Sequence, residues 1–188
     1  METITGFVLA GGKSVRMGSD KAFVELGGRT LLQRALDTLG QVTPDVEIVG
    51  TWEKFESFGR VVEDVYADCG PLGGIHAALT SSVSELSLIL AVDLPYVSVE
   101  FLCYLVEKAQ ASTAPVTLPR TLDGWQPLCA VYRKGFGEVA EAALREGRNA
   151  VHGLVEKSAP RVIDVVELER AGFAIGMFRN VNTLEDLV

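Results

Sequence analysis

A chain of 188 residues that is 48% hydrophobic and 22% charged lies close to globular averages, and a single domain over residues 1–188 is expected. The net charge of −8 argues against a general nucleic-acid binder, and no apolar run approaches the ~18 residues that cross a membrane. Cys69, Cys103 and Cys129 are odd in number and widely spaced, which argues against a disulfide framework or a zinc site. Met1-Glu2-Thr3 leads into an apolar run without a basic leader, so the cytoplasm is the expected compartment.

In chain order, Ile4–Ala10 reads as a buried strand. Leu31, Leu32, Ala35, Leu36 and Leu39 follow helical spacing, with Thr30 as N-cap and Gly40 as the stop. Val46–Thr51 and Arg60–Asp64 read as strands with a short amphipathic turn between them. Gly73–Ser82 reads as a helix opened by the Gly70-Pro71-Leu72-Gly73-Gly74 turn. Leu86–Asp93 is apolar on both faces, as central parallel strands are, and Val99–Ala111 returns as a helix capped by Ser98. Val116–Thr121 and Pro127–Arg133 read as strands joined around Asp123-Gly124. Helices follow at Phe136–Arg145 and Ala150–Lys157, then strands at Arg161–Val166 and Phe178–Val181, and a last helical turn from Thr183 with Asp186 three residues on. This alternation predicts a doubly wound, largely parallel α/β sheet whose later strands join as a mixed edge.

Ligands of such folds gather beyond the carboxyl ends of the strands. The informative residues are therefore Gly11-Gly12-Lys13, Gly50-Thr51, Asp64 and Asp93. The segment Leu9–Lys21 offers bare backbone amides at Gly11-Gly12 and sets Lys13, Arg16 and Lys21 against Asp20, a local charge of +2 in an acidic chain. It suits a polyphosphate. A Walker A loop needs glycine five residues before Gly12, where Phe7 stands; the adjacent Gly11-Gly12 does not supply a dinucleotide fingerprint. Asp93 ends an apolar strand, where a carboxylate needs a partner, and Mg²⁺ is a fitting one. Asp64, beside Glu63, is a second strand-end acid. Gly73-Gly74 let a ligand approach a helix start, while His76, one turn further on, reads as packing and His152 as filler. Trp125-Gln126-Pro127 and Asn180-Val181-Asn182 could supply a stacking platform and amide hydrogen bonds.

The loop Leu9-Ala10-Gly11-Gly12-Lys13-Ser14-Val15-Arg16-Met17-Gly18-Ser19-Asp20-Lys21 resembles the signature of the MobA-like nucleotidyltransferases. Gly70-Pro71-Leu72-Gly73-Gly74, Asp93-Leu94-Pro95, Gln126–Tyr132 and Asn180-Val181-Asn182-Thr183 are similar to its later segments and narrow the likeness towards the molybdenum cofactor guanylyltransferases. The resemblance runs from about Gly6 to the C-terminus. It implies a three-layer α/β/α fold, Rossmann-like and nucleotide-diphospho-sugar transferase-like, with a mostly parallel sheet and a mixed edge. It also implies Mg²⁺ as cofactor, GTP and molybdopterin as substrates, and transient contact with molybdopterin-supplying or molybdoenzyme proteins, with neither nucleic acid nor membrane as partner.

Carried over by position, Leu9, Ala10, Gly11 and Gly12 line the nucleotide and Lys21 contacts its phosphates. Asp64 helps bind the nucleoside, Asp93 holds the metal, and Arg16 stabilises the leaving pyrophosphate. Gly73, Gly74, Gln126, Asn180 and Asn182 fall to the acceptor. Gly50-Thr51 departs from the asparagine of the best-known guanylyltransferases, leaving that contact missing or to Thr51. CTP in place of GTP, or a nucleotide-binding regulator without chemistry, are the alternatives.

Overall fold

In the computed structural model the described residues are 2–11, 20–66 and 68–181. The chain begins with β1 (Ile4–Leu9), followed by a small hairpin of β2 (Glu25–Leu26) and β3 (Arg29–Thr30). Gly27 and Gly28 form its turn, both at positive φ (62° and 77°), as a two-residue hairpin loop requires. Helix α1 (Leu31–Gly40) starts at once in a capping box: Thr30 Oγ1 accepts the Gln33 amide, and Gln33 returns a side-chain contact to the Thr30 amide. β4 (Val46–Val49), α2 (Trp52–Phe55) and β5 (Arg60–Val62) follow, then α3 (Pro71–Ser81), β6 (Leu86–Ala91) and α4 (Val99–Gln110). The second half holds β7 (Val116–Thr121), β8 (Gly124–Trp125), β9 (Cys129–Arg133), α5 (Phe136–Arg145), α6 (Val151–Lys157), β10 (Arg161–Ile163) and α7 (Val165–Arg170).

The main sheet runs β10-β7-β9-β6-β1-β4-β5, with β8 added to β7. β5, β4, β1 and β6 are mutually parallel, β9 is inserted antiparallel, and β10 and β7 pair in parallel beyond it. β6 is buried at every residue and β1 at all but its first, so apolar layers must cover both faces. Leu32 and Leu39 of α1, Phe101 and Leu105 of α4 and Leu168 of α7 pack on one side. Leu72 and Ile75 of α3, Phe136 and Ala140 of α5 and Val155 of α6 pack on the other. The expected three-layer α/β/α architecture with a mixed edge is present.

Several expected boundaries move, each for a local reason. β4, β5 and β6 stop at Val49, Val62 and Ala91, so Thr51, Asp64 and Asp93 stand just beyond the strand tips. α3 begins at Pro71 instead of Gly73, because proline suits a first helical position and Gly70, at φ 63°, breaks the chain before it. The strand expected over Arg161–Val166 ends at Ile163: the Asp164 carboxylate accepts the Glu167 amide at 2.9 Å and starts α7. The strand expected at Phe178–Val181 is absent. A 3-10 turn covers Ile175–Phe178, and the Val181 amide bonds outside any ladder to Asp93 O. β9 starts at Cys129, whose amide closes a turn on Gln126 O. The helical turn expected from Thr183 lies outside the described residues.

Candidate active site

β1 is the switch point of the sheet: the chain leaves it towards β4 and β5 and returns on its other side at β6. Leu9 pairs with Ala91, so the segments leaving β1 and β6 emerge side by side. The Ala10 and Gly11 amides both donate to Val49 O at 3.0 Å, turning the chain across the tip of β4. A methyl group on Gly11 would lie 3.5 Å from Gly50 Cα, and one on Gly50 would lie 2.5 Å from the buried Phe55 ring. Position 50 thus admits no side chain without displacing that ring, and the step to Gly50 follows from packing. Gly50→Ala is expected to lower stability by about 1–3 kcal/mol, measurable by urea unfolding.

Lys21 is placed by its neighbour. Asp20 accepts the Ala22 amide at 3.1 Å through one carboxylate oxygen and pairs with Lys54 Nζ at 2.9 Å through the other. This caps the 3-10 turn Lys21–Phe23, which buried Ala22 and Val24 anchor in the core. Lys21 Nζ then lies 3.3 Å from Asp93 Oδ2. Asp93 is held on the other side through its backbone: Val92 N–H donates to Leu9 O at 3.1 Å, and Asp93 O accepts Val181 N–H at 2.9 Å. Both side chains keep access to solvent, 22% for Lys21 and 24% for Asp93. A cation and an anion are therefore displayed together over the β1–β6 crevice.

On the adjoining face, the Asp64 carboxylate lies against the first turn of α3. A methyl group on Gly73 would fall 3.5 Å from Asp64 Oδ2 and 2.9 Å from Tyr66 O; one on Gly74 would fall 3.7 Å from Oδ1 and 3.5 Å from Leu9 Cδ2. Leu9, Asp64, Gly73 and Gly74 thus meet in one place. Burial raises the Asp64 carboxyl above its ordinary value, opposed in part by nearby His76. The folded state then holds a proton more readily than the unfolded one between the ordinary carboxylate value and the raised one. This contribution to stability is complete at low pH and is lost as pH rises through that window. Asp64→Asn is accordingly expected to flatten that part of the stability–pH curve without loss of stability at neutral pH, as read by thermal melts across the acidic range. His76 is buried in α3, edge-on to Tyr66 at 5.1 Å and 3.3 Å from Thr80 Oγ1, in accord with a packing role.

Thr51 is exposed at the start of α2, where the Trp52 amide donates to Glu63 Oε1 at 3.0 Å and ties the β4 and β5 tips together. Gln126 lies one strand beyond Asp93. Its amide donates to Pro119 O, its side chain to Thr121 Oγ1, and nearby Leu128 O accepts the Ala91 amide at 2.8 Å. Asn180 is exposed and directly precedes the Val181–Asp93 link. Gly12, Lys13, Arg16 and Asn182 lie outside the described residues. The bracing of Asp20 by Lys54 was not anticipated from sequence; the only local cue was an aspartate at the first position of a three-residue turn.

The profile of the MobA-like NTP transferase domain matches residues 6–161. The chain belongs to that family. A molybdenum cofactor guanylyltransferase of Desulfosudis oleivorans is 34% identical over 190 residues, covering 100% of this chain and 94% of the relative. Among solved structures, molybdopterin-guanine dinucleotide biosynthesis protein A of Archaeoglobus fulgidus superposes with a TM-score of 0.84 at 25% identity, covering 97% of this chain and 94% of that one. A 2-C-methyl-D-erythritol 4-phosphate cytidylyltransferase of Thermus thermophilus, at 18% identity and TM-score 0.71 with 100% and 96% coverage, shares the fold. The MobA-like chain therefore carries its family's sheet, and its Lys21–Asp93 pair stands at the crevice of that sheet.

Proposed function

We propose that this MobA-like NTP transferase transfers GMP from GTP to Mo-molybdopterin, forming molybdopterin guanine dinucleotide and releasing pyrophosphate. The observation that carries the reading is the Lys21–Asp93 pair at 3.3 Å, beside the backbone turn Leu9–Gly11 at the switch point of the sheet. The guanine donor is favoured over CTP by the relative from Desulfosudis oleivorans, whereas the cytidylyltransferase likeness concerns the fold alone.

Leu9, Ala10, Gly11 and Gly12 line the nucleotide, Lys21 meets its phosphates, and Asp64 and Thr51 approach the nucleoside. Gly73, Gly74, Gln126, Asn180 and Asn182 serve the acceptor. An oxygen of the molybdopterin phosphate forms a bond to the α-phosphorus of GTP as the bond to the β-bridging oxygen breaks in line. The attacking oxygen is already anionic, so no protein nucleophile or strong general base is required; position and charge neutralisation carry the rate. Lys21 supplies fixed positive charge at the phosphates, and Arg16 receives the departing pyrophosphate.

Among the described residues no group of three or more His, Cys, Asp and Glu side chains converges. Asp93, a single partly buried carboxylate beside the phosphate-facing lysine, still fits Mg²⁺, which takes one or two carboxylates and completes its shell with phosphate oxygens and water. When bound there, Mg²⁺ neutralises charge on the phosphates. Among the described residues no helix is long and apolar enough to cross a membrane, and we place the reaction in the cytoplasm, with transient contacts to proteins that supply molybdopterin or receive its product.

The test follows the label. With GTP labelled at the α-phosphorus, Mo-molybdopterin and Mg²⁺, label should enter the dinucleotide product, and with γ-label it should appear in pyrophosphate. Absence of α-label from any acceptor product overturns the reading.

A further inference from the structure

The tip of the β7–β8 hairpin presents two side chains that the proposed reaction has not used. Arg120 and Trp125 are register partners in that antiparallel pair, which puts their Cβ atoms about 5 Å apart on the same face. Strand alternation identifies the face: Val116 and Leu118, four and two residues before Arg120, belong to the core beneath α3 and α5, and Trp125 packs against the same core. Gly73, Gly74 and Asp64 lie further along the sheet, where a methyl group on Gly74 would meet Leu9 and Val49 at the β1 and β4 tips. Arg120 is exposed and Trp125 half-buried. The hairpin is braced from within, because the Gln126 amide donates to Pro119 O at 3.0 Å, Gln126 Nε2 to Thr121 Oγ1 at 3.2 Å, and Thr121 Oγ1 to Gly124 O at 3.3 Å. Two strand spacings, about 10 Å, separate it from the β6 tip that carries Asp93.

We propose that Trp125 and Arg120 form the ring subsite of the acceptor, with Gln126 as the residue that positions them. This rests on the reading above and deepens it. Trp125 offers an indole on which the planar pyrimidinone ring of a pterin can stack. The pterin of molybdopterin is reduced, so its N5 carries a hydrogen, and the acceptor on that edge is the C4 carbonyl of the pyrimidinone ring. The Arg120 guanidinium donates a charge-assisted hydrogen bond to that carbonyl. The guanine of the donor also carries a ring carbonyl, but Leu9–Gly11, Thr51 and Asp64 lie at the β1, β4 and β5 tips, on the opposite side of β6 from the hairpin. The separation leaves the acceptor phosphate at the Lys21–Asp93 crevice while its ring lies on Trp125.

Trp52 and Trp125 are the two tryptophans of the chain, so the W52F protein reports Trp125 alone. The probe is an oxidised pterin with a phosphate-ended side chain, and its binding should quench Trp125 emission. R120Q should weaken the probe about tenfold, since the charge-assisted hydrogen bond to the ring carbonyl is lost, and R120K should keep part of the affinity. W125L, followed through the pterin's own fluorescence anisotropy, should weaken it by a similar factor. Mg²⁺–GTP affinity should change by less than about twofold in all three, and in turnover the loss should fall on the acceptor KM more than on kcat. Pterin affinity unchanged in R120Q and W125L would overturn the subsite while leaving GMP transfer by the parent protein intact. A parent that binds the pterin with these dependences yet transfers no GMP sinks the proposed reaction and keeps the subsite.

Discussion

Asp93→Asn is expected to cut nucleotidyl transfer by about a thousandfold while the protein melts within a few degrees of the parent. The side chain follows a buried strand but keeps 24% of its surface, and its placement comes from backbone bonds: Val92 to Leu9 O and Val181 to Asp93 O. Asparagine preserves shape and those backbone bonds, so little stability is lost. The negative charge that meets a hard cation beside a triphosphate is removed. Initial rates across a Mg²⁺ titration, set beside a thermal melt, separate the two effects. A variant with near-parent rates would take Asp93 out of the chemistry.

Lys21→Ala should lower kcat/KM for GTP by about a hundredfold or more, through a raised GTP requirement and slower turnover. The Lys21–Asp93 ion pair, partly exposed on both sides, contributes only about 0–1 kcal/mol to stability. A large loss of activity with a small loss of stability is thus the signature of a phosphate contact. Lys21→Arg should recover part of the rate, because charge is kept while the point-like ammonium becomes a wider fork. Steady-state kinetics at saturating acceptor, with equilibrium unfolding alongside, reads both quantities. An alanine variant that loses stability and keeps its kinetics would make the pair structural.

Much of this was legible from residue types and their order. Apolar runs locate β1 and β6, and the rule that ligands gather beyond strand tips points to Gly11, Asp64 and Asp93. Thr30 and Ser98 were readable as caps because a hydroxyl ahead of a helical pattern has one obvious amide to accept. Errors arose where local composition favours two states. Val162, Ile163, Val165 and Val166 are all β-branched, and only the Asp164-to-Glu167 spacing marks the helix start. Around Phe178–Val181, apolar residues are used to bury Phe178 and Val181 without a strand partner. The Gly27-Gly28 hairpin carried a turn signal, but its two-residue strands are too short to show alternation. The Lys21–Asp93 contact joins positions 72 apart, and the approach of Asp64 to Gly73 and Gly74 depends on how α3 is laid across the sheet. Such distances follow from topology, to which local periodicity is blind. The register of Arg120 against Trp125 likewise exists only once the turn at Leu122-Asp123 is known.

The most direct measurement is the initial rate of pyrophosphate release with GTP, CTP, ATP and UTP, each with and without Mo-molybdopterin, in Mg²⁺. GTP with the acceptor should give the fastest release, with Asp93→Asn close to background. Faster release with CTP, or release that does not depend on the acceptor, would contradict guanylyl transfer at this crevice.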